Sequence, residues 1–148
     1  MRHSALLFRA HHRACALPVE DVVEAMRPLP VEEMVGAPAF VAGVAIIRGV
    51  ATPVLDAGAL LDARSLPRPG RLVLLRSDGR RVGLLVSSVA GVLTFEEEAF
   101  EPLPPLLRTA DPDRIERLGR VDGALLHVLH RGRLVPDDLW ARLETDEA

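Results

Sequence analysis

A chain of 148 residues with 49% hydrophobic side chains can bury one core, or two small cores packed together. Its formal net charge of -3, from 18 basic and 21 acidic residues, gives no field that would gather nucleic acid, and its 3% aromatic content leaves few rings on which bases could stack. No run approaches the roughly 20 apolar residues that span a bilayer, so neither nucleic-acid binding nor membrane insertion is expected, and a cytoplasmic location is.

The first apolar run, Leu6-Leu7-Phe8, is too short for a signal peptide, and Arg9, His11, His12 and Arg13 follow it at once. It reads as a strand that turns at His11-His12 and returns through Cys15-Ala16-Leu17. The two histidines are adjacent, so on a strand they point to opposite faces and cannot chelate one metal ion. Cys15 is the single cysteine, which excludes an intramolecular disulfide and argues against a thiolate zinc site; in apolar company it reads as a small buried hydrophobe.

Further along, Asp56 to Leu61 suggests a short helix or turn. Leu66-Pro67-Arg68-Pro69-Gly70 cannot hold regular structure and reads as a link between halves spanning 1–66 and 71–148 of one domain. A second hairpin follows: Val73-Leu74-Leu75, the turn Ser77-Asp78-Gly79-Arg80, then Val82 to Val86, with Asp-Gly supplying the positive φ that tight turns need. The run Glu96-Glu97-Glu98 after Thr94 reads as a solvated loop or the first turn of a helix. Glu101-Pro102-Leu103-Pro104-Pro105-Leu106 is a loop, and Gly123 to Leu129 a strand. His127 and His130 are three apart, a helix spacing that on a strand puts them on opposite sides, so no metal site is expected. The tail from Pro136 to Leu143 reads as a short helix with Pro and acids in its first turn and Leu139, Trp140 and Leu143 on one face.

Two repeats stand in register. The segment from Leu6 to Val22 parallels Val73 to Val89: apolar run, Arg, polar turn, Arg, apolar run. The segment from Arg48 to Leu61 parallels Asp122 to Val135, matching Gly49 with Gly123 and Gly58 with Gly132. A duplicated β unit of about 70 residues accounts for both, with strands able to cross between halves. No phosphate loop, nucleophile elbow or zinc-binding helix motif appears, so a binding module without cofactor or catalysis is favoured.

Residues 37 to 56 read Ala37-Pro38-Ala39-Phe40-Val41-Ala42-Gly43-Val44-Ala45-Ile46-Ile47-Arg48-Gly49-Val50-Ala51-Thr52-Pro53-Val54-Leu55-Asp56. This resembles the signature of the CheW family: Pro-x-Phe/Tyr-hydrophobic-x-Gly-Val, then Asn-Leu-Arg-Gly, then Pro-hydrophobic-hydrophobic-Asp, without a gap. Leu17 to Glu24, Val82 to Val86 and Gly123 to Leu129 resemble other strands of that family. The resemblance implies a mostly β fold of two packed SH3-like five-stranded barrels with a short C-terminal helix. It implies a non-catalytic adaptor that couples a chemoreceptor's cytoplasmic tip to the regulatory domain of a CheA-type histidine kinase, at membrane-associated receptor arrays.

Arg48 emerges from an apolar strand beside a glycine. Internal pairing with Asp56 or Glu24 and contact with a partner both suit it, and the resemblance favours contact. On the same ground Val22, Glu24, Ile47, Gly49 and Val86 are candidate protein-binding residues, with Gly43, Pro53 and Asp56 as shape-determining members of the motif. The chain departs from the family pattern at Ile46, Ile47, Ser87 and His130. One alternative is therefore a divergent scaffold that has lost the kinase or receptor contact and serves another signalling or localisation complex. Another, supported only by the histidines, is a small-barrel enzyme or ligand-binding domain.

Overall fold

The computed structural model describes residues 2–77, 79–102, 115–121, 124–129, 134–135 and 137–146. Asp78 of the second turn, residues 103–106 of the proline-rich loop, Gly123, His130, Gly132 and Pro136 lie outside the described residues, as does the side chain of Leu143.

The short apolar runs form strands: β1 (Arg2–Ala10), β2 (Arg13–Pro18), β3 (Val22–Met26), β4 (Val41–Ile47) and β5 (Val50–Asp56). A one-and-a-half-turn helix, α1 (Ala57–Asp62), follows at the place the sequence marks. Then come β6 (Arg71–Ser77), β7 (Arg80–Val86), β8 (Ser88–Glu96), the two-residue β9 (Glu101–Pro102), β10 (Ile115–Val121), β11 (Ala124–Leu129) and the C-terminal helix α2 (Asp137–Asp146). The acidic run leaves β8 through a single 3-10 turn, Glu97–Ala99, rather than opening an α-helix.

The β1–β2 hairpin turns at His11-His12 without a glycine, and His11 itself takes a positive φ of 55°. The β6–β7 hairpin closes with Ser77 opposite Arg80. The strands form two sheets. One has the order β8-β1-β2-β11-β10-β9, the other β3-β6-β7-β5-β4. Position by position the orders correspond: third strand of a repeat, first hairpin, then second hairpin, with β2–β11 and β5–β7 as the parallel contacts. Each third strand leaves its own hairpin. After β2 the chain crosses to pair β3 with β6, and after β7 it crosses back to pair β8 with β1.

Strands β5, β6 and β7 are nearly all apolar because both faces of their sheet are covered there. Along β6, Val73 and Leu75 face a core shared with Leu6, Phe8 and Leu17 of the other sheet, while Leu72 and Leu74 face a second core with Ile47, Val54 and Leu85. Along β1, Leu6 and Phe8 enter the shared core and Ala5 enters a third, with Ala16, Phe100 and Leu126. The period of two thus feeds three cores, one between the sheets and one within each. Helix α2 caps the shared core through Leu139, and it is tied down by Arg80, 4.8 Å above the Trp140 ring, and by Arg142 donating to the Val35 carbonyl at 2.6 Å.

Cys15 is fully buried in the shared core, and burial pushes its thiol up to about 12. Beside it at the β2–β11 junction lies His127, 2% exposed. Its Nδ1 is 3.2 Å from the Ala14 carbonyl and its Nε2 is 3.1 Å from Nη1 of Arg13, which also holds Asp62 at 2.6 Å. A carbonyl on one side and a guanidinium on the other are both satisfied only by neutral imidazole with its proton on Nδ1. Burial lowers the pKa accordingly, and the Arg13 charge adds to that.

Candidate protein-interaction site

The β4–β5 hairpin turns on two residues, Arg48 and Gly49, with φ of 51° and 78°. Positive φ at both central positions marks a turn whose twist matches the flanking strands. It strains Arg48 mildly and suits Gly49, where an added Cβ would meet nothing within 4 Å. The turn holds the Arg48 side chain out from the sheet, 65% exposed.

Glu24 receives it. Nε of Arg48 donates to Oε2 at 2.7 Å and Nη2 donates to Oε1 at 2.6 Å, a parallel two-pronged contact. Strands β3 and β4 are the two outermost strands of their sheet, so this pair joins its opposite margins and the sheet curls round on itself. A register shift between Val22 and Glu24 in the pairing with β6 re-aims β3 there. Val22 stays half-buried against the shared core, and Glu24 turns outward. Hydrogen bonding to Arg48, reinforced by its charge and that of Arg81, holds the Glu24 carboxyl below the usual carboxylate range. Of the two acids that could have paired with Arg48, Glu24 does so.

Asp56 is occupied elsewhere. It is 6% exposed, and it accepts from the Ala59 amide at 3.0 Å as N-cap of α1 and from the Leu66 amide at 3.2 Å. Gly43, with φ of 147°, lets the 31–33 segment lie on β4: a Cβ there would be 2.0 Å from the Glu32 carbonyl oxygen. Glu32 and Val44 exchange backbone hydrogen bonds of 2.9 and 2.8 Å. Val44 thereby directs both its backbone groups away from β5, and Pro53, which has no N–H, fits opposite it.

Ile47 and Val86 stand apart from the exposed candidates. Ile47 is 1% exposed in the core within its sheet, and Val86 is fully buried between the sheets. Strand alternation puts them inside, so neither side chain reaches the surface. The apolar residues that do are Ile46, 66% exposed, and Val50, 47% exposed, on either side of the turn. An alternation count outward from buried Ile47 would have found Ile46. Arg48, Glu24, Ile46 and Val50 together offer a charged fork beside apolar surface, a combination suited to binding protein.

A family model for the CheW-like domain matches residues 4–138. The protein named "Probable chemotaxis protein CheW" of Rhizobium etli is 30% identical over 103 residues, covering 68% of this chain and 66% of that one. "Chemotaxis protein CheW" of Rhizobium meliloti is 24% identical over 135 residues, 90% of this chain and 87% of the relative. The fold is similar to that of the scaffolding protein TtCheW from Thermoanaerobacter tengcongensis, with a TM-score of 0.78 at 23% identity, over 89% of this chain and 91% of the other.

Proposed function

The chain belongs to the CheW-like family of chemotaxis scaffold proteins, and on that premise we propose that it is a non-catalytic adaptor coupling a chemoreceptor's cytoplasmic tip to the regulatory domain of a CheA-type histidine kinase. The family match across residues 4–138 carries this reading. The whole chain acts as one domain, with halves 1–66 and 71–148. It works in the cytoplasm at receptor arrays, and no described helix is long and apolar enough to cross a membrane.

Arg48 is the central contact, flanked by Val22, Glu24 and Gly49. Glu24 holds the guanidinium in one orientation before a partner arrives, which reduces the entropy lost on binding. Ile47 and Val86 are buried and lie outside this contact. Titration calorimetry against a CheA regulatory domain from the same cell tests the reading. Saturable binding near one to one is the expected result; no heat at high micromolar concentration would reject the kinase contact.

One observation favours a second reading, a divergent scaffold serving another complex. Ile46 puts an apolar side chain, 66% exposed, where the family pattern has Asn. Kinase activation by this protein in a reconstituted receptor mixture would exclude it.

A further inference from the structure

A different surface lies where the β1–β2 turn meets the end of α1 and the 64–68 segment. Two hollows of about 450 and 590 Å³ run together there, sharing His11, His12 and Arg64. We propose that this trough docks an acidic peptide segment of a partner protein. The inference is independent of the receptor and kinase contacts.

The frame is fixed. His11, in its positive-φ conformation, donates its backbone N–H to Ser87 Oγ at 3.1 Å, and its ring Nε2 lies 2.8 Å from the Arg64 carbonyl. Gly58 makes the room: a Cβ there would stand 2.6 Å from His11 Nε2 and 2.8 Å from the Arg64 oxygen. The turn, the 64–68 segment and the start of β8 are therefore held against one another.

The charge is one-sided. Asp62 is the only acid among the described lining residues, and Arg13 engages it at 2.6 Å. Arg64 and Arg68 are exposed and form no ion pair among the described residues, and His12 is exposed beside them. A chain of net charge -3 thus keeps a local basic strip. The cations are strung along an open trough with no glycine-rich loop of converging amides, which fits spaced carboxylates better than one phosphate. Among the described lining residues there is no Phe, Tyr or Trp, which disfavours stacked bases.

Fluorescence anisotropy of a labelled oligoglutamate peptide with the full chain tests this, using oligolysine as the opposite-charge probe. Saturable oligoglutamate binding that weakens with added salt is expected. The double variant R64E/R68E should weaken it about tenfold or more, while the charge-matched R27E/R76E, outside the trough, should leave it near wild type. Circular dichroism checks that both fold. Absent binding, or equal losses in the two doubles, would overturn the proposal. Displacement by inorganic phosphate at the concentration of unlabelled peptide that competes would also do so, by marking a small-anion site.

Discussion

Arg48 and Glu24 meet through two parallel hydrogen bonds, 2.7 and 2.6 Å long, that join the outermost strands of a five-stranded sheet. The pair is solvent-accessible, so its worth as a fastener is small and its value for recognition is separable from it. Arg48→Ala and Arg48→Glu should leave thermal unfolding near wild type while weakening receptor recruitment and kinase binding. The exchange Arg48→Glu with Glu24→Arg restores an ion pair with its direction reversed. It should remain binding-deficient in pull-downs; recovery of wild-type affinity would reduce Arg48 to a structural role.

The two glycines of the motif should respond unequally. Gly43→Ala drives a methyl into the Glu32 carbonyl and should cost about 3 kcal/mol or more. Gly49→Ala has open space and only the backbone penalty of positive φ, about 1 kcal/mol. Urea unfolding of both measures the contrast, and similar losses would show that the 31–33 segment yields.

Asp56→Ala removes one carboxylate that serves two amides, those of Ala59 and Leu66, in a buried site. A loss of about 2 kcal/mol is expected, with Asp56→Asn intermediate. Hydrogen exchange should localise the loosening to α1 and the segment leading to Leu66.

His127 gives the fold an acid sensitivity. Its folded pKa lies below the ordinary value of about 6.5, so the unfolded chain takes up the proton first. Stability should fall as pH drops through about 6.5 and level off once the folded value is passed. Denaturant midpoints compared between wild type and His127→Leu across this range should show a smaller pH slope in the variant; identical slopes would mean that the ring does not titrate on unfolding.

Local features were legible in the sequence because local chemistry decides them. Gly79 marked the β6–β7 turn, the Pro-rich 66–70 segment a break, and Asp137-Asp138 the start of α2. The acids open to Arg48 could not be ranked, because Glu24 reaches it only through a sheet closed by distant strands. Ile47 and Val86 were grouped with surface residues because a motif is continuous in sequence while alternation sends its members to opposite faces. The burial of His127 against Arg13 depends on the parallel β2–β11 pairing, which no turn residue announces. The crossing of β3 and β8 was open for the same reason: either sheet offers such a strand an equivalent hairpin.

That crossing ties the two repeats together as links in a chain are tied. A cut within the 66–70 segment would yield two fragments that stay associated, each placing its first hairpin inside a sheet otherwise made of the other's strands. A polypeptide with a single repeat would reproduce this arrangement by trading that hairpin with a second copy. The intact chain makes that trade with itself, converting a concentration-dependent association into an intramolecular one.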